Sequence, residues 1–143
     1  MKDKIIHIGP MPPPLGGIAV FLQRLSKKNK DRNTVFINEV NLSTIEFIKT
    51  LLKGSNNIII YHSPSTKRRI ILYLTSLISK NKYVIVSHGK GLEDSYKNSN
   101  FFIKLFLKKT ILKADYIQVV GNHLAEFLIY IGYPKDKIKI KNA

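Results

Sequence analysis

The chain has 143 residues, 24 Lys or Arg against 9 Asp or Glu, a formal charge of +15, and no cysteine. That length suits one domain with its own core, and the lack of cysteine excludes structural disulfides, thiolate metal sites and a cysteine nucleophile. The charge favours polyanionic partners, such as phosphorylated ligands or an anionic bilayer, and is equally met by lysines spread over solvated faces.

KIIHIG at residues 4–9 reads as a short buried strand. It runs into PMPPPLGG, a stiff proline arm followed by the bare backbone of Gly16 and Gly17. Residues 17–28 read as a helix, with Val20, Phe21, Arg24 and Leu25 at helical spacing. NTVFINE (33–39) is a second strand. Residues 42–53 are a helix capped by Asn41 or Ser43 and stopped by Gly54, and NIIIY (57–61) is a third strand. Residues 64–79 read as a helix with Ser63 as cap and Pro64 at its first position. Its opening KRR, residues 67–69, sits at the helix end that disfavours cations, where an external anion would offset the repulsion. KYVIVS (82–87) is a fourth strand, 88–98 a polar loop and 99–113 a helix. A fifth strand at 116–120, a helix at 122–131 closed by Gly132 and a short strand at 137–140 complete the order.

This β-α-β-α alternation predicts an α/β fold, with a Rossmann-like parallel sheet and helices on both faces. Ligands in such sheets sit beyond the carboxyl ends of the strands, where strand order reverses. Residues 10–17, 62–66 and 88–98 are therefore expected along one edge. Gly16 and Gly17 open a helix after a strand, an arrangement suited to phosphate or to a plain tight turn. Neither G-x-G-x-x-G nor a P-loop Gly-Lys-Ser/Thr is present. His88 follows the fourth strand and is expected to project into the crevice. His62 faces the same edge, His7 lies within the first strand as a satisfied buried histidine, and His123 lies on the surface. Glu93 and Asp94 in the loop could serve a site, but adjacent acids are more often solvated. The four histidines form no recognisable metal-ligand set.

Residues 99–113 join Phe101, Phe102 and Phe106 to Lys104, Lys108, Lys109 and Lys113. Such a helix can lie at a bilayer surface, or can pack its apolar side on the sheet and leave its lysines in water. No run reaches the roughly 18 apolar residues of a membrane span. Basic residues interleaved with exposed aromatics on a sheet face are lacking, so nucleic acid is not an expected partner.

The stretches IIHIGPMPPPLGGIAVFLQRL, VIVSHGKG and KADYIQVVGNHLAEFLIYIGYPKDKIKIKNA resemble the amino-terminal domain of GT-B glycosyltransferases, the family 4-like retaining enzymes. Residues 34–80 match only in layout. The resemblance implies the acceptor-side half of a two-domain enzyme, with the donor-binding carboxyl-terminal domain outside these residues and little activity without it. It implies a nucleotide-sugar co-substrate, a glycan or lipid-linked acceptor, no tightly bound cofactor and no metal. Gly16 and Gly17 would approach the donor diphosphate, and His88 would line the sugar or acceptor site as the catalytic candidate. His62, Lys90 and Glu93 are the acceptor-side candidates, and Lys104, Lys108 and Lys109 the membrane-surface candidates, on a cytoplasmic protein peripheral to the inner face of the plasma membrane. Gly121 stands where the family often has Ser. The alternative is a non-catalytic partner- or anion-binding module acting with a separate catalytic chain.

Overall fold

Six apolar runs form one parallel sheet in the computed structural model, which describes residues 4–11, 17–29, 33–54, 56–89 and 91–141. The strands are β1 (Ile5–Gly9), β2 (Thr34–Asn38), β3 (Ile58–Tyr61), β4 (Lys82–Val86), β5 (Ile117–Val119) and β6 (Ile138–Ile140). The helices are α1 (Gly17–Lys28), α2 (Thr44–Leu52), α3 (Thr66–Ser76), α4 (Gly91–Asn98), α5 (Phe101–Lys113) and α6 (Asn122–Tyr130). The strand order is β2-β1-β3-β4-β5-β6, with every neighbouring pair parallel.

The step from β1 to β2 runs one way across the sheet, and every later step runs the other way. Right-handed crossovers therefore set α1 on one face and the later helices on the opposite one. Packing agrees. Ile6, Ile8, Ile59, Tyr61, Tyr83, Ile85, Ile117 and Val119 form a single core with Phe47 of α2, Leu72 of α3, Leu92 of α4, Leu107 and Ile111 of α5 and Leu128 of α6. Strand side chains alternate between faces, so His7, Ile60, Val84 and Val86 belong to the α1 side. There Ala19 and Leu22 of α1 and both valines are buried. Gly9 permits a close approach: a Cβ on it would lie 2.6 Å from Leu22 Cδ1 and 3.0 Å from His62 Cβ.

Two local expectations are corrected. The cap of α3 is Ser65, whose hydroxyl accepts from the Arg68 amide, so Ser63 and Pro64 lie ahead of the helix. The expected loop at 88–98 contains α4 instead. Leu92 anchors that helix in the core, Glu93 and Asp94 favour its N-terminus, and Glu93 pairs with Lys97 one turn on. Ser43, of the two residues named, caps α2. Gly132, at φ 101°, follows α6, and Gly121, at φ 92°, precedes it without a side-chain cap bond.

Candidate functional site

Strand order reverses between β1 and β3. Beyond the ends of β3 and β4 lies a crevice of about 400 Å³, and its lining includes Gly17, His62, Arg69, Ser87, His88 and Gly91. The expected convergence of the loop after β1 with those after β3 and β4 is met by Gly17, His62 and His88. No acidic residue lies in the first turn of α1, so the partial positive charge of that helix end has no local carboxylate. A Cβ on Gly17 would meet nothing within 4 Å, so internal packing does not demand glycine there.

Three histidines form a chain across this end of the sheet. Nδ1 of His7 lies 2.9 Å from Nε2 of His62, and Nδ1 of His62 lies 3.1 Å from Nε2 of His88. The register explains the contact. His7 pairs with Ile60 in β3, so His62 is the next residue on the same face. Aromatic rings wall the chain: Phe36 stacks on His7 at 4.7 Å, and Phe21 of α1 lies 5.9 Å from the His62 ring and 5.1 Å from that of His88. His62 is buried. Burial, then the neighbouring His7 and His88 and the ammonium of Lys141, pull its pKa down to about 3. His88 is held below its ordinary value by burial and Lys141, and His7 by burial. All three rings are therefore neutral at pH 7 and serve as hydrogen-bonding groups. Lys141, just past β6, packs its ammonium 4.9 Å from the Phe21 ring.

The KRR run divides into three fates. Lys67 is within 3.3 Å of the Thr44 hydroxyl. Arg68 donates to the Glu39 carbonyl at 3.0 Å, to the Glu39 carboxylate at 3.1 Å and to the Leu42 carbonyl at 2.6 Å. Arg69 is 2% exposed, and its Nε and Nη1 are buried without a hydrogen-bond partner. Burial lowers its pKa to about 10, against the opposing influence of Tyr61 and Glu39, so it is charged at pH 7. Its role was not singled out from the sequence. The available signal is its spacing with Leu72, Thr75 and Ser76 on the buried stripe of α3.

Glu93 is not in the crevice. It lines a larger hollow of about 620 Å³ beside α4, α5 and α6, together with Lys97, Lys104 and His123. Glu93 lies 2.7 Å from the Lys97 ammonium and 3.1 Å from the exposed His123 ring, and these partners hold its carboxyl below the usual range. The hollow is roomier, but its buried acid, Glu93, is already paired and its other acid, Glu126, is exposed, whereas the crevice holds the buried Arg69 guanidinium with Nε and Nη1 unbonded. The Lys104 ammonium sits 5.4 Å from the Tyr96 ring, Lys108 is partly buried, and Lys109 is exposed. Gly16 and Lys90 lie outside the described residues. Among the described residues no group of three or more His, Asp or Glu is arranged to hold a metal ion. No protein-family model matches the chain, and no curated protein matches it either.

Proposed function

We propose that this chain is the acceptor-side domain of a retaining, GT-B-type glycosyltransferase that takes its sugar from a nucleotide-sugar donor. One observation carries the reading: the switch-point crevice joins a helix N-terminus that begins at Gly17, the neutral imidazole of His88 and the buried charge of Arg69. No carboxylate of the described residues lines it. An anionic, hydroxyl-bearing ligand is complementary to that lining. In this reading the N-terminus of α1 receives the donor diphosphate, His88 hydrogen-bonds a sugar or acceptor hydroxyl, and a second domain or chain holds the nucleoside. Titration with UDP, GDP and ADP by calorimetry tests it. One nucleotide is expected to bind weakly and to lose that binding in Gly17→Val. Binding that survives the valine removes the diphosphate from this helix end.

A second reading keeps the ligand and drops the chemistry. Among the described residues the crevice has no carboxylate to act as base, which favours an anion-binding module working beside a catalytic chain. Sugar release from a nucleotide sugar on adding a partner that supplies the donor half separates the two.

The acceptor is proposed to be presented at an anionic membrane face. Phe101 and Phe102 are 73% and 70% exposed at the start of α5, on the helix that also carries Lys104, Lys108 and Lys109. No helix among the described residues is long and apolar enough to cross a membrane. Flotation with phosphatidylglycerol vesicles at low salt is expected to carry the protein upward. Replacing both phenylalanines with Ser is expected to leave it at the bottom, and equal flotation of that variant removes α5 from the contact.

A further inference from the structure

We infer that Arg69 is the receptor for a phosphoryl group that enters the crevice between α1 and the ends of β3 and β4. The inference shares the crevice of the proposed function but does not depend on sugar transfer.

A guanidinium has five N–H donors and remains charged at neutral pH, so a buried one ordinarily collects carboxylate or carbonyl acceptors. Arg68, one residue earlier on the same helix, does so, with three contacts to Glu39 and Leu42. Acceptors are thus within reach of the first turn of α3: the Glu39 and Leu42 carbonyls and Glu39 Oε1 go to Arg68, and Glu39 Oε2 stays buried without a partner. Arg69 is turned inward on the stripe shared with Leu72 and is left with two buried nitrogens and no acceptor. Glu39 influences it through space, but Oε1 of its carboxylate is bonded to Arg68 and to the Tyr61 hydroxyl, and its buried Oε2 makes no hydrogen bond to Arg69.

A side chain buried only to fill space on that stripe would be served better by an apolar residue, because an unpaired internal charge is destabilising. A charge kept where it weakens the fold is the mark of a binding site. Its surroundings define the ligand. The described residues that line the crevice contribute no negative charge, and the N-terminus of α1, on the other side, adds partial positive charge without an acid in its first turn. A tetrahedral dianion accepts from a guanidinium and from backbone amides at once. That group can belong to the diphosphate of a nucleotide or to the phosphomonoester of a different ligand.

The test compares wild type with Arg69→Met, a replacement that keeps much of the volume and removes the charge. Thermal unfolding is followed with inorganic phosphate, pyrophosphate, UDP or glycerol 1-phosphate, each matched to sodium chloride at equal ionic strength because the chain carries +15. Without ligand, Arg69→Met is expected to melt at or above the wild-type temperature. With phosphate or pyrophosphate, wild type is expected to gain stability beyond the chloride control, and the variant to bind about tenfold more weakly or not at all. Greater gain from UDP than from glycerol 1-phosphate assigns the group to a nucleotide, and the reverse order assigns it to another ligand.

A variant that folds but melts well below wild type makes Arg69 structural and overturns the inference; should the variant fail to fold, the wild-type resonance decides. A second readout needs no variant of Arg69 to fold: the side-chain Nε–H resonance of Arg69 in wild type is expected to shift on adding phosphate. A resonance that stays in place, or equal phosphate stabilisation of both proteins, overturns the inference. Loss of phosphate binding in Arg69→Met, with UDP binding still sensitive only to Gly17→Val, keeps the receptor and detaches it from the donor. Loss of UDP binding in both variants joins the two sites.

Discussion

Lowering the pH from about 7.5 to about 5 is expected to remove about 2 kcal/mol of stability through His62 alone. In the unfolded chain this imidazole takes up a proton near pH 6.5, whereas in the folded protein it resists until about pH 3. Throughout that window the unfolded state binds more protons. The contribution is therefore complete above pH 6.5 and is lost progressively as pH falls. His7 and His88 are held down as well and act in the same direction. At about pH 5 most carboxylates are still ionised, so the loss reports histidine rather than general acid unfolding. Urea unfolding at the two pH values measures it. His62→Gln, whose amide can bond to both neighbours and does not titrate, is expected to flatten the pH dependence. A stability that is level over this range, or a slope unchanged in the glutamine variant, contradicts the burial of a neutral His62.

Arg68→Ala is expected to cost about 3 kcal/mol. The side chain is 18% exposed and closes the 3-10 turn Glu39–Asn41 onto the first turn of α3. It also places its guanidinium 4.9 Å from the Phe47 ring. Its removal leaves the buried Glu39 carboxylate without its cation and the Glu39 and Leu42 carbonyls without this donor. Most of the cost is the loss of the acid's bonded cation, which leaves the Tyr61 hydroxyl as its donor. Glu39→Gln combined with Arg68→Met should therefore lose less than the sum of the two single changes. Additive losses in that cycle would show that the pair contributes little as a pair.

The order of elements was legible because apolar runs and amphipathic runs alternate cleanly, and Gly17–Lys28 was read to the residue. The 91–98 helix was hidden by its polar composition: Leu92 is its one fully buried apolar residue, and a glycine opens it. Ser63 and Ser65 each stand before a plausible first turn, and the choice between them rests on where α3 docks, a tertiary matter. At the site, the positions of His62, His88 and Gly17 followed from parallel-sheet topology alone. Their linkage to His7 did not, because it needs the β1–β3 register. The KRR run announced three charges and an anion to balance them. Which charge lacks a partner depends on the rotational phase of α3 against the sheet, which turns Arg68 toward Glu39 and Arg69 inward.

The line of three neutral imidazoles has a direction. Each ring holds one proton on its two nitrogens, so His62 donates on one side and accepts on the other. When His62 donates to His88, His7 must donate to His62, and the remaining nitrogen of His88 offers an N–H. When His62 donates to His7, His88 must donate inward and offers a lone pair instead. A ligand that requires one of these at the crevice thereby sets the tautomer of all three rings, and the identity of its contact can be read at His7, on the far side of β3 from His88.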